Sequence, residues 1–176
     1  MAKTPILEFG DKVKLDSKDK KIIELLQLDG RAPISDISRK TKIPRDSIKY
    51  RIKRLEKLKV IRFYHAFLNP AKLGYPMYSY VTFKLYNLDE KKEKEFINFL
   101  VSLPKVVYVS KTTGSWDMSI GVCAKDFKDF DDVLREIRGK FADEIKDIET
   151  GSVIQEFKDD YMVDLIEDKR WNISRP

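Results

Sequence analysis

Seven cations fall between Arg45 and Lys59, namely Arg45, Lys49, Arg51, Lys53, Arg54, Lys57 and Lys59, against the carboxylates Asp46 and Glu56. Clustered cations of these types neutralise phosphates and meet base edges. A guanidinium can pair bidentately with guanine, a hydroxyl can meet either base of a pair, and an ammonium acts as a point charge. Ile48, Ile52, Leu55 and Leu58 interleave with the cations at steps of three and four, the spacing of one buried helix stripe. A helix from about Arg45 to Lys57, buried on that stripe, presents much of its charge outward. In a helix that enters the major groove, residues toward the N-terminal end meet the bases. Arg45, Ser47, Lys49, Tyr50 and Lys53 are therefore the candidates for base or near-base contact. Arg51, Arg54 and Lys57 are the candidates for phosphates, which position a protein without reading sequence. Tyr50 has a second reading, packed on the segment after the helix. The whole surface also has one, as a solvated basic helix that binds protein.

Other chemistry is poorly supplied. The 176 residues hold one histidine, His65, and one cysteine, Cys123, so there is no Cys–His pair, no His/Cys metal set and no intramolecular disulfide. The seven glycines are scattered and form no phosphate-binding loop. No catalytic residue, metal ligand or cofactor is assigned. No apolar run reaches spanning length and no apolar stretch follows a basic start, so a cytoplasmic protein is expected. Charge divides by position. Residues 1–74 carry 19 Lys and Arg against 9 Asp and Glu, whereas residues 75–176 carry 16 against 20. The basic part is the half suited to a polyanion.

The elements that must position the basic helix are legible around it. Asp16 and Asp19 open a first helix whose stripe is Ile22, Ile23, Leu25 and Leu26, and Asp29-Gly30 turns the chain. A second short helix runs from about Ser35 to Thr41 with Ile34 and Ile37 inward, and Lys42-Ile43-Pro44 leads into the third. Three short helices with a tight turn between the last two make a helix-turn-helix. After a connector punctuated by Pro70, the pattern changes to alternation from Met77 to Tyr86. It continues as a helix over Glu90 to Ser102, a strand over Val106 to Thr112, a turn at Thr113 to Asp117 and a strand from Met118 to Ala124. A helix on Phe127, Phe130, Leu134, Ile137 and Phe141 and a strand over Lys146 to Phe157 close it. The order β-α-β-β-α-β is ferredoxin-like, with helices on one sheet face. Tyr78, Tyr80 and Tyr86 on the other face predict sheet-to-sheet dimerisation. The expected fold class is α+β: a winged helix-turn-helix domain at 15–62, a linker at 63–75 and a βαββαβ oligomerisation and effector domain at 76–158. Tails at 1–14 and 159–176 flank them. Leu165, Ile166 and Trp171 equip the second tail to dock on a partner subunit.

These motifs together resemble the Lrp/AsnC, or feast/famine, family of transcriptional regulators. Leu15-Asp16-x-x-Asp19-x-x-Ile22-Ile23 and Asp29-Gly30-Arg31 are similar to the family's first helix and turn. Ile48-x-x-Arg51-Ile52-x-x-Leu55-Glu56 with Val60-Ile61 resembles its recognition helix and exit, and Asn69-Pro70-x-x-Leu73-Gly74 resembles its linker. Thr113-Gly114-x-x-Asp117 is similar to the turn near its effector site, so the resemblance makes Thr113, Gly114 and Asp117 the effector-binding candidates. Gly114 and Asp117 have a plainer reading, as a residue a tight turn needs and the cap of that turn. The chain departs from the pattern at Lys42 and Lys59, where glycine is usual, and at Pro44 in place of a capping serine. The resemblance implies a RAM-type regulatory domain, a dimer that assembles to tetramers or octamers, double-stranded DNA as partner, and an amino-acid-like effector between dimers. Two other readings stay open: an architectural DNA-coating protein of low sequence preference, and an enzyme on the same architecture, which siroheme decarboxylases resemble.

Overall fold

The computed structural model describes residues 11–86, 88–158 and 160–166. They form two compact units. One takes in the chain up to Phe67 and again from Lys158, and the other is Leu68–Phe157.

In the first unit, helix α1 (Ser17–Leu28) starts with a capping box. The Asp16 carboxylate accepts from the amides of Lys18 and Asp19, and the Asp19 carboxylate accepts from the Asp16 amide. Helix α2 (Ile34–Thr41) and helix α3 (Arg45–Lys57) begin after Pro33 and Pro44, which preset the backbone without a side-chain cap. Ile22, Ile37, Ile43 and Ile48 close one core cluster between these helices. The α2–α3 joint turns through Lys42 in the left-handed conformation, at φ 60°. The Ser38 hydroxyl donates to the Ile43 carbonyl (2.7 Å), and the Ile43 amide donates to the Thr41 hydroxyl. After α3, the Val60 amide donates to the Leu55 carbonyl and the Lys59 amide to that of Glu56, with Lys59 at φ 56°. That is a Schellman stop, and Val60 packs near Leu55 as the motif requires. A non-glycine residue in this conformation costs on the order of 1 kcal/mol. Beyond it, residues 62–69 form neither helix nor strand.

The predicted tail does not hang free of this unit. Val163, 2% exposed, joins Ile23 and Leu55 in a second cluster flanked by Leu15, Ile61, Tyr161 and Ile166. The Gln27 side chain holds the same segment by its backbone: its amide donates to the Asp160 carbonyl (2.8 Å), and its carbonyl accepts from the amides of Met162 and Val163. Residues 160–166 therefore pack on α1 and α3 of their own chain through Val163, whereas Leu165, one of the residues expected to dock on a partner subunit, is 76% exposed and takes no part in that packing. Trp171 lies outside the described residues.

The second unit has strands β1 (Met77–Leu85), β2 (Val106–Lys111), β3 (Met118–Ala124) and β4 (Ile145–Ser152) with helices α4 (Glu90–Ser102) and α5 (Phe127–Phe141). The antiparallel sheet runs β2-β3-β1-β4, the ferredoxin-like order. Val81, Phe83, Phe96, Leu100, Ile120, Ile137 and Phe141 are central to one core between the sheet and both helices. Two expectations fail here. Phe127, counted in the apolar spacing of this helix, is 77% exposed as the first residue of α5. β4 ends at Ser152, so Val153 to Phe157 is not strand, although the Val153 amide still donates to the Tyr78 carbonyl. On the uncovered sheet face Tyr80 and Tyr108 are exposed, and so is Tyr86, just past the end of β1. Tyr78 lies edge-on to Tyr80 at 5.3 Å and over Gly121, where any β-carbon would meet its hydroxyl at 2.5 Å.

Candidate nucleic-acid interface

Helix α3 carries the eight candidate residues from the sequence, and its two sides treat them differently. Lys49, Lys53 and Lys57 repeat every four residues and form one exposed row, with Arg45 exposed at its start. Tyr50 stands beside the row at 70% exposure and does not pack on the connector. Ser47 is half-buried, and Lys49 reaches Asp46 across one turn at 3.5 Å, a pairing too exposed to hold either side chain.

Arg51 and Arg54 turn the other way. Arg51 Nη1 donates to both oxygens of Asp16 (2.8 Å) and to Asp19 Oδ1 (2.7 Å). Arg54 Nη1 donates to Asp19 Oδ2 (3.0 Å) and Nη2 to the Lys14 carbonyl (3.0 Å). Asp19 is 1% exposed, so both its oxygens are spent on α3 guanidinium groups and its own helix cap. Partial burial opposes charge on Asp16, but the Asp19 amide and Arg51 outweigh it and hold the carboxyl below its ordinary value. Burial opposes the Arg51 charge too, and the two carboxylates overcome it. These contacts tie α3 to α1 across more than thirty residues of sequence. Asp19 was legible only as a charge on a helix N-terminus. The matched spacings Asp16-x-x-Asp19 and Arg51-x-x-Arg54 were the signal that an inter-helix network existed.

The end of α3 is braced from the connector. Tyr64 hydroxyl donates to Glu56 (3.2 Å), and its ring lies against Gly30, where an added β-carbon would meet it at 3.3 Å. Burial, then the Glu56 charge, pushes the phenol up to about 12.

In the second unit the turn at Thr113–Asp117 is built from its ends. The Thr112 hydroxyl donates to the Trp116 carbonyl (2.7 Å), and the Asp117 carboxylate accepts from the Leu85 amide (2.8 Å) and the Lys84 ammonium (3.1 Å). That amide, then Lys84, holds the Asp117 carboxyl below its ordinary value. Gly114 has φ 106°, a conformation that suits glycine alone, and it is exposed together with Thr113. Asp117 thus spends its oxygens on the end of β1, while Thr113 and Gly114 face outward. Among the described residues no group of His, Cys, Asp and Glu could hold a metal ion, and no helix is long and apolar enough to cross a membrane.

Residues 15–56 match the AsnC-type helix-turn-helix domain, and residues 79–163 match the Lrp/AsnC ligand binding domain. The HTH-type transcriptional regulator FL11 of Pyrococcus furiosus is 38% identical over 68% of this chain and 78% of its own. The chain belongs to the Lrp/AsnC family of transcriptional regulators. Its relatives include FL11 of Pyrococcus horikoshii, 35% identical over 70% of this chain and 80% of its own. Solved structures that share the fold include two regulators. A Neisseria meningitidis transcriptional regulator in complex with L-Met has a TM-score of 0.75 at 22% identity, covering 83% of this chain and 94% of its own. AsnC of E. coli has a TM-score of 0.73 at 22% identity, covering 86% and 99%. As in the family, a DNA-binding helix-turn-helix precedes a ligand-binding domain here, and α3 is its recognition helix.

Proposed function

We propose that this regulator acts as a dimer whose two recognition helices enter successive major grooves on one DNA face, about one helical turn apart. Arg45, Ser47, Lys49, Tyr50 and Lys53 read or approach bases, and Lys57 meets phosphate. Arg51 and Arg54 serve the same surface from behind, by fixing the angle of α3 against α1 through Asp16 and Asp19. The observation that carries this division is the burial of Asp19 beneath both guanidinium groups, which leaves the lysine row outward. The tyrosines on the uncovered sheet face support dimerisation sheet to sheet, since exposed aromatics concentrate at such interfaces. The turn with Thr113, Gly114 and Asp117 borders the site of a small effector of amino-acid type, with Asp117 shaping the turn. Support for that class comes from the Neisseria relative, which was solved with L-Met. Effector and DNA affinities are then coupled reciprocally, to the extent that the two assemblies differ in affinity for the effector.

Selection from a random DNA pool at near-physiological salt tests the reading. Enrichment of a pseudo-palindrome with half-sites about one turn apart is the expected result. Retention without enrichment replaces the specific regulator with an architectural protein, and a monomer at working concentration contradicts the scheme.

A further inference from the structure

Gln27 is an exposed residue at the end of α1, yet its side chain is bonded at both ends. Its amide donates to the Asp160 carbonyl, and its carbonyl accepts from the Met162 and Val163 amides. Two turns earlier on α1, Lys20 Nζ donates to the Ile166 carbonyl (2.9 Å). These bonds all grip backbone, so α1 holds residues 160–166 by their main chain. The side chain that joins the core is Val163, set with Ile23 of α1 and Leu55 of α3. The Asp19 network links α3 to the start of α1. The returning segment links the two helices toward the end of α1.

We propose that Gln27 and Val163 are positioning residues for DNA recognition: they seat residues 160–166 as a strap across α1 and α3, and the seated strap fixes the angle at which α3 meets the major groove. The proposal rests on the sequence-reading role of α3. Its lysine row is bare, so the helix is held only from its other side. Leu55, near its C-terminal end, is fully buried in the cluster that Val163 completes. With 13 residues α3 is about 20 Å long, so a tilt of about 10° about that end carries the base-reading end about 3 Å. Hydrogen bonds to base edges hold only within a window of roughly half an ångström. A lysine ammonium on a flexible stem follows a phosphate through the same displacement. The strap therefore governs discrimination between sequences and leaves general attraction to DNA intact.

The test compares Gln27→Ala, Val163→Ala and the double variant with the wild type, each as the whole chain. Affinity is measured on the duplex that the wild type enriches from a random pool and on an arbitrary duplex of equal length. The temperature is one at which circular dichroism shows every variant folded. Gln27 is exposed, so its truncation leaves both apolar clusters intact. Each single variant is expected to lose roughly 2- to 30-fold in affinity for the enriched duplex, and less than about twofold for the arbitrary one. The slope of log affinity against log salt stays that of the wild type, because no phosphate contact is removed. The double variant binds about as well as the weaker single one, because both substitutions unseat the same strap. Equal losses on the two duplexes would report partial unfolding instead of a lost angle and overturn the proposal. Wild-type affinity of the double variant for the enriched duplex overturns it as well, while sequence reading by α3 stands. A wild-type chain that enriches no sequence removes that reading and this proposal together.

Discussion

The α+β unit buries its apolar residues in one cluster between a sheet and two helices, whereas the helix-turn-helix unit divides its own between two small ones. Phe83, Phe96 and Phe141 stack edge to face at the centre of the first. Among the described residues the helix-turn-helix unit has no fully buried aromatic in its two clusters, and it relies on Asp19 with its two arginines and on a segment from beyond the α+β unit. The sensor is held by packing, and the recognition helix is held by contacts that charge and solvent reach. A DNA-reading helix must leave one long face bare, so less apolar surface remains to fix its angle, and directional bonds supply the difference.

The contrast can be broken at its strong side first. Phe83→Ala should cost about 3–5 kcal/mol, confined to the α+β transition in calorimetry, because a fully buried ring leaves a cavity. Next, Asp19→Ala should cost roughly 2–4 kcal/mol and weaken DNA binding, since it strands two arginines at the α1–α3 seam. A change below about half a kcal/mol there would show that packing alone holds α3. Val163→Ala removes two methyl-sized volumes, about 1–3 kcal/mol, and should speed amide exchange in α1 and α3 but not in the sheet. Equal exchange changes in both units would end the division drawn here. Gly114→Ala should cost about 1 kcal/mol through backbone strain alone, because the space around it is open.

The smallest effect concerns acid. Asp16 has a depressed folded value, so its contribution is present above the ordinary carboxylate range near pH 4 and disappears as pH falls through that lower value. Asp16→Asn should therefore flatten the acid limb of the helix-turn-helix melting profile below about pH 4. The α+β limb, where Asp117 and Asp129 are the depressed carboxyls, should keep its shape.

Local patterns made most elements legible, because a stripe, a cap and a proline act within a few residues of themselves. Helix α3 runs from Arg45 to Lys57 and α4 from Glu90 to Ser102, as their periodicity predicts. The misses share one physical cause, contacts between residues distant in sequence. Periodicity places Arg51 and Arg54 on α3 but says nothing of carboxylates more than thirty residues earlier. Hydrophobicity singles out Leu165 and Ile166, whereas the residue that seats the segment is Val163, set beside Ile23 and held by Gln27. Phe127 fits the stripe of α5 yet is exposed as the first residue of that helix. Tyr108 was missed beside Tyr80 because the register of β2 shifts between Val106 and Tyr108, which alters the alternation.

The return of residues 160–166 to α1 and α3 makes the DNA-reading unit discontinuous in the chain, with the whole sensor inserted between its pieces. Synthesis proceeds from the N-terminus, so Ile23 and Leu55 wait for Val163 while some ninety residues of sensor are made. A polypeptide released early carries α1 to α3 with that second cluster unfilled. The order of translation thus withholds a fully braced recognition helix until the domain that governs it already exists.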